Sequence, residues 1–555
     1  MASSDEHLHA DVHDEKAADA AKATARHTAR VHSVVENEVH LERNFSFLAS
    51  LGLAFTLLNS WTGGNVRFRR DRDPDIRGVS NKLTRPPLCR SGSLSLVLPS
   101  GGSVSMVWGL LVSAVGTMLM CVSLAEICHF LPLSGGQYDW AYILAPESNR
   151  NSLAFFTGWM ATAGWVALAA TAAALGSTFV TGIISLWHPS YSAQAWQGFL
   201  IYIGILLQSF VLNIFSVRLL PHIDKFAGLW SMVGIVTVII VCLVCSRGDY
   251  QPAKAVFAQW TNETGWPNGM AFIMGLLQSV FGLTGFDAAT HMIEEMPAPK
   301  KNAPQVMVSA VIMGTVTSWL FMIVLLFCLT SFDDVLNSGA TTGPLLTIYY
   351  QATRSRVGAT CLIMFNLMAF VFVQQVLITV SSRMLLTLAR DRGVGQLSRF
   401  LAPVHPTLKV PVWSIIFCTF WVVVFGLINL GSAVALNAIL SSSVVLLQIS
   451  YFVPILLACL RGEKAFQGYD RDARWNLGRW RRPINALALV FLAVTTICFM
   501  FPPIIPVNSG SEMNWVVLVV GIVFIMCGVT WLVDGRKRFQ GPSELEERLA
   551  ESLAS

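Results

Sequence analysis

Long runs in which nearly every position is apolar recur along this chain, separated by short polar segments. One helical bilayer crossing needs about twenty such residues, and that ruler predicts twelve helices. The first five run Phe45–Trp61, Ser105–Phe130, Leu153–Trp187, Gly198–Leu220 and Phe226–Cys245. The next five run Ala271–Met292, Val306–Thr330, Val357–Leu388, Val412–Leu430 and Val434–Leu460, and Ile484–Phe501 and Trp515–Val533 complete the set. The predicted fold class is an all-α polytopic membrane protein. Gly158, Gly164, Gly176 and many alanines give the third span a small-residue face of the kind that lets helices approach closely.

Composition removes the soluble alternatives. Only 13% of residues are charged and 54% are hydrophobic, where ordinary soluble domains carry about a quarter charged residues. The net charge of +5 is spread over short segments between apolar runs rather than on one stripe, so a nucleic-acid partner is not expected and the lipid bilayer is. The first 44 residues are polar and lack the early apolar stretch of a cleaved signal peptide, which leaves insertion to the first span and the N-terminus in the cytosol. With both termini inside, the cytosolic segments hold 26 Lys and Arg and the outer loops 4, as the positive-inside rule requires, while residues 65–90 hold 8 on the wrong side. The same orientation puts the sequon Asn262-Glu263-Thr264 outside, making Asn262 a glycosylation candidate. Of the eleven cysteines, most, including Cys121, Cys242, Cys328, Cys418 and Cys498, sit inside apolar runs without disulfide or zinc spacing. They read as core thiols. No metal site is expected, and His7, His9 and His13 belong to a solvated tail without a role. The closing Glu544–Ala554 stretch suits a short amphipathic surface helix or a frayed tail.

Two spans carry helix-interrupting glycine motifs, LNSWTGG at Leu58–Gly64 and FGLTGFD at Phe281–Asp287, five spans apart. In transporters built from two inverted five-helix repeats, the first helix of each repeat is broken at mid-membrane and exposes backbone groups to substrate and ions. Glycine in a membrane helix also serves plain packing, and it is the pairing of the two motifs that points to a transport site. Asp287 is the sharpest single residue, since a carboxylate within a span is costly and faces a cavity, a partner or a proton path. Glu126, near the cytosolic end of the second span, reads as a structural or gating hydrogen-bond partner; His291, Glu294 and Glu295 emerge at the cytosolic end of the sixth as gate or interface residues.

SLAEICHFLPLSGGQY (Ser123–Tyr138) and GFDAATHMIEEMPAPKKNAP (Gly285–Pro304) resemble the amino acid-polyamine-organocation permeases, and FSFLASLGLAFTLLNSW (Phe45–Trp61), GWVAL (Gly164–Leu168) and ARDRGVGQLSRFLAPVHPTLKVPV (Ala389–Val412) are similar to their fungal branch of GABA, amino acid and choline permeases. The resemblance implies the 5+5 inverted-repeat transporter fold plus two C-terminal helices, working without a cofactor at a plasma or vacuolar membrane. It implies a proton-coupled symporter or exchanger of small amines, GABA or another amino acid first, with choline or polyamine transport, or a non-transporting nutrient sensor, as alternatives. Carried over residue by residue, substrate contacts fall on Trp61, Thr62 and Gly63 and on Phe281, Gly282, Leu283 and Thr284, with Phe281 placed to stack over an ammonium group. Asp287 becomes the proton-coupling candidate. An enzyme is not expected, because the chain has neither a zinc HExxH pair nor a Walker loop.

The expected organisation is a cytosolic tail (1–44), the first half of helix 1 (45–64), the rest of the first repeat (91–246), the second repeat (271–460), helices 11 and 12 (484–533) and a C-terminal tail (534–555). Residues 65–90, with eight basic and three acidic side chains, interrupt this scheme. Joining Gly64 to Ser91 restores the family spacing, so the segment reads as a translated intron or gene-model error; the alternative is an outward loop replacing the outer half of helix 1.

Overall fold

The computed structural model describes residues 46–58, 100–191, 194–330, 342–431, 435–466, 475–507, 513–539, 541–542 and 545. Apart from one isolated antiparallel bridge between Ser100 and Asn262, the regular structure of these residues is helical, as it must be where no water is available to bond exposed backbone.

In chain order the helices are α1 (Phe47–Leu58), α2 (Gly102–Phe130), α3 (Gln137–Leu144), α4 (Arg150–Trp187), α5 (Ala195–Phe215), α6 (Leu220–Cys245) and α7 (Asn268–Leu283). They continue with α8 (Pro299–Cys328), α9 (Pro344–Thr353), α10 (Arg356–Arg390), α11 (Val412–Gly431), α12 (Ala435–Arg461), α13 (Arg481–Cys498) and α14 (Val516–Thr530). Ten segments are long and apolar enough to cross a membrane, and the shorter apolar helices α1 and α11 fall at the first and ninth expected crossings. The short α3 and α9, which lie between crossings, had no counterpart in the predicted set.

The pattern of contacts repeats with a displacement of five crossings. α1 packs on α6 as α7 packs on α12; α2 packs on α7 as α8 packs on α1; α4 packs on α12 as α10 packs on α6. The two self-related pairs, α2 with α8 and α4 with α10, also touch. The short helices obey the same rule, α3 following the second crossing and α9 the seventh. This is the inverted-repeat architecture, with α13 and α14 packed outside it against α12.

Polarity is distributed as lipid demands. Large apolar side chains such as Phe215, Val244, Ile525 and Leu532 point outward, whereas Asp224, Asp287, Glu126, Gln374 and Arg383 are buried. At the centre of α4, a Cβ added to Gly164 would lie 2.7 Å from Leu447 Cγ, so the small-residue face does bring α4 and α12 together. Cys121, Cys242, Cys328 and Cys418 are free and buried, and Cys498 is half-buried.

Candidate functional site

The sixth crossing breaks where the glycine motif lies. α7 ends at Leu283, Thr284 turns extended (φ −79°, ψ 143°), Gly285 adopts a left-handed φ of 98°, and the chain resumes as a 3₁₀ segment, Phe286–Glu295. Only glycine takes that φ without strain, and a Cβ there would also come within 2.6 Å of Leu57 Cδ2 from α1 and 3.4 Å of Trp165 Cη2 from α4. The break therefore seats the sixth crossing directly against the end of α1. Thr284 satisfies itself locally, its hydroxyl donating to the Val280 carbonyl at 2.7 Å.

Asp287, two residues past Gly285, is fully buried. Its Oδ2 accepts from Gln137 Nε2 at 2.5 Å, and its Oδ1 from the Tyr451 hydroxyl at 2.6 Å. His291 Nε2, one turn on, lies 3.4 Å from Oδ2, while His291 Nδ1 lies 3.2 Å from the Ser134 carbonyl oxygen. Both imidazole nitrogens thus face acceptor oxygens, and a neutral imidazole has one N–H to give. The Asp287–His291 pair consequently has a place for one further proton, held by the imidazole or by the carboxyl group. Trp165 closes the side of this cluster, its ring meeting that of His291 edge-on at 5.8 Å.

Toward the Glu295 end of the 3₁₀ segment a second polar layer fastens the same element. Ser134 Oγ donates to Glu294 Oε1 at 2.7 Å, Arg390 Nη1 reaches Glu294 Oε1 at 3.3 Å, and the buried Arg383 Nε pairs with Glu295 Oε1 at 3.0 Å. Tyr138 Oη donates to Asp391 Oδ2 at 2.8 Å. The loop before α3, the 3₁₀ segment and α10 are thereby tied together, and they carry the motifs on which the resemblance rested.

The other sequence-flagged residues divide. Phe281 is half-buried at the end of α7, Gly282 and Leu283 are buried beside it, and all three belong to the turn leading into the break. Glu126 sits away from this cluster: its carboxylate takes Arg481 Nε at 2.8 Å and Nη2 at 2.9 Å and the Leu477 N–H at 2.7 Å. That anchors α2 to the start of α13. Asn262 organises its own loop, donating from Nδ2 to the Trp266 carbonyl at 2.7 Å and to Asn268 Oδ1 at 2.9 Å. Trp61, Thr62 and Gly63 lie outside the described residues. Gln137, Tyr451, Arg383, Arg390 and Arg481 were not singled out from the sequence. Gln137 lay within a quoted motif, whereas Tyr451 had no local signal at all.

The amino acid permease family pattern matches residues 88–525. The chain belongs to that family. The permease is 31% identical over 521 residues to the choline transporter of Saccharomyces cerevisiae, covering 93% of this chain and 86% of the relative. It is 31% identical over 425 residues to a putative amino acid/polyamine transporter of Macrophomina phaseolina, covering 77% and 93%, and 27% identical to the 7-keto 8-aminopelargonic acid transporter of S. cerevisiae, covering 90% and 94%. The permease is an integral membrane transporter of the fungal branch and not an enzyme.

Proposed function

We propose that this permease couples the uptake or exchange of a small amine bearing a carboxylate, GABA or another amino acid, to proton movement across a plasma or vacuolar membrane, with both termini in the cytosol. The observation that carries the proton part is the Asp287–His291 pair, buried at the break of the sixth crossing and short of one donor. The amine would lie against the α7 break, its ammonium over the half-buried Phe281 face, and its carboxylate would be taken by the Thr62-Gly63-Gly64 motif, whose glycines are expected from the sequence to interrupt a helix as anion sites require. Trp61 would complete this contact.

Choline is the second reading, favoured by the similarity to the S. cerevisiae choline transporter. Choline has no carboxylate to engage the first break, so competition separates the two. Proteoliposomes of the purified permease are supplied externally with labelled GABA, amino acids, polyamines or choline, with and without an inward proton gradient. The expected outcome is gradient-driven accumulation of a carboxylate-bearing amine, weakly inhibited by choline. Choline competing as well as any amino acid would reverse the assignment, and specific binding without flux would make the protein a sensor.

A further inference from the structure

Three exposed basic residues, Arg536–Arg538, follow α14, and the phenylalanine after them turns inward: Phe539 is only 3% exposed. Its placement begins where α14 passes into a π-helical turn, Trp531–Gly535. Such a turn adds a residue to the winding, so the side chains beyond it point in a new direction. Gly535 seats the turn on α4, where a Cβ would lie 3.0 Å from Phe155 Cε2, and its carbonyl accepts the Phe539 N–H at 2.9 Å. The Phe539 ring meets Phe155 edge-on at 5.4 Å, Trp531 edge-on at 6.4 Å and Tyr138 of α3 at 6.1 Å. Two residues on, Gly541 takes a left-handed φ of 86° and lies so close to α3 that a Cβ would collide with the Tyr142 ring.

The chain beyond α14 thus crosses α3 at two rings four residues, or one helical turn, apart. α3 has eight residues, too few for a helix to hold itself, so what it is fastened to decides where it stands. Its Tyr138 Oη donates to Asp391 Oδ2 just past α10, and the adjacent Gln137 Nε2 donates to Asp287 Oδ2. Gly136, which precedes α3, rests on the 3₁₀ segment: a Cβ there would lie 2.9 Å from Thr290 Oγ1 and 3.2 Å from His291 Cε1. Successive residues of one short helix therefore touch the Asp287 carboxylate and the Phe539 ring.

We propose that Phe539 and Gly541 form a strap that holds α3 in place and, through Gln137, controls the surroundings of the Asp287–His291 pair. With the strap seated, α3 stays closed against Asp391 and Gln137 keeps its N–H on Asp287. When the strap lifts, the Tyr138 and Tyr142 rings lose their cover, α3 parts from Asp391, and Asp287 loses one of its two side-chain donors from outside its own segment. The end of the chain is in this way a brake on opening at the end of the bundle where α10 finishes. Its bearing on transport rests on the proton-coupled reading above, whereas the docking of the strap on α3 does not.

The test is amide hydrogen exchange, read by mass spectrometry, of the full chain in lipid nanodiscs without substrate. Wild type is compared with Phe539→Ala, which removes the ring, and with Gly541→Val, whose side chain would meet Tyr142 and push the strap off α3 while leaving Phe539 intact. Both variants are expected to exchange about tenfold faster or more in residues 137–144 and 286–295, since buried amides exchange through local opening, with α6 and α11 unchanged. Unchanged exchange in those two segments, or an equal rise in α6 and α11, overturns the proposal. Gly541→Val decides the matter if Phe539→Ala fails to fold. If the exchange pattern holds but wild type accumulates none of the amines offered in proteoliposomes, the functional reading fails and the strap stands. If wild type accumulates an amine and the exchange of both segments is unchanged, the reverse holds.

Discussion

Asp287 differs from a helix cap in what surrounds it: side-chain donors from α3 and α12 meet a histidine of its own segment, and no water-exposed face remains. Asn is nearly isosteric and can still accept from Gln137, but it cannot ionise. Asp287→Asn is therefore expected to flatten the pH dependence of uptake per surface copy between acidic and neutral pH, with a smaller loss of protein abundance. An unchanged profile would remove Asp287 from the mechanism. Tyr451→Phe deletes one hydrogen bond to the same carboxylate, worth about 1.5–3 kcal/mol for a charged acceptor, and should displace the acid limb of that profile rather than abolish transport. The carboxylate was legible in the sequence because a charge inside an apolar run is conspicuous. Tyr451 was not, because an aromatic in an apolar helix has the same signature whether it packs or donates, and 164 positions separate it from its acceptor.

Between elements, the periodic features were the legible ones. Ten of the twelve expected crossings and the sixth-crossing break fall where apolar length and the glycine motif put them, and the shorter helices α1 and α11 lie at the first and ninth, since each depends on one contiguous stretch. The 3₁₀ form of Phe286–Glu295 and the short helices α3 and α9 were not legible. They are stabilised by what they pack against, not by their own composition. Glu126 illustrates the same limit: its place near the end of α2 allowed either a gate or a structural bond, and only the fold brings Arg481 to it from 355 positions away. The bidentate, buried geometry favours the structural role. Breaking such a pair on one side costs about 3–5 kcal/mol, whereas apolar replacement of both partners is often close to neutral. Glu126→Leu alone should lower the melting temperature in detergent markedly, and the Glu126→Leu/Arg481→Met double variant should recover much of the loss without a change in substrate preference. A single variant with normal stability and altered transport would make Glu126 a gate residue.

For the whole molecule, the open question is how the first crossing is completed. The apolar run Phe45–Trp61 has 17 residues, at the lower limit for crossing a hydrocarbon core about 30 Å thick. Residues 65–90, which lie outside the described residues, follow that run with eight basic side chains. Charged residues near the centre of a membrane helix cost about 2.5–3.5 kcal/mol each, so this stretch cannot extend α1 and would have to loop into water, drawing Trp61, Thr62 and Gly63 away from the Gly285 break that Leu57 abuts. The family pattern begins at residue 88, at the far edge of the same segment. Direct joining of Gly64 to Ser91 would instead follow the apolar run with small and apolar residues and remove eight basic side chains. Deletion of 65–90 is accordingly expected to yield the active, well-inserted permease, and the full-length chain to insert poorly or transport at a small fraction of that rate. Uptake by the two forms at matched surface expression, together with the sequence of the mature transcript, decides it: a dominant transcript that retains the segment and a product with full activity would mean that helix 1 is completed in some other way.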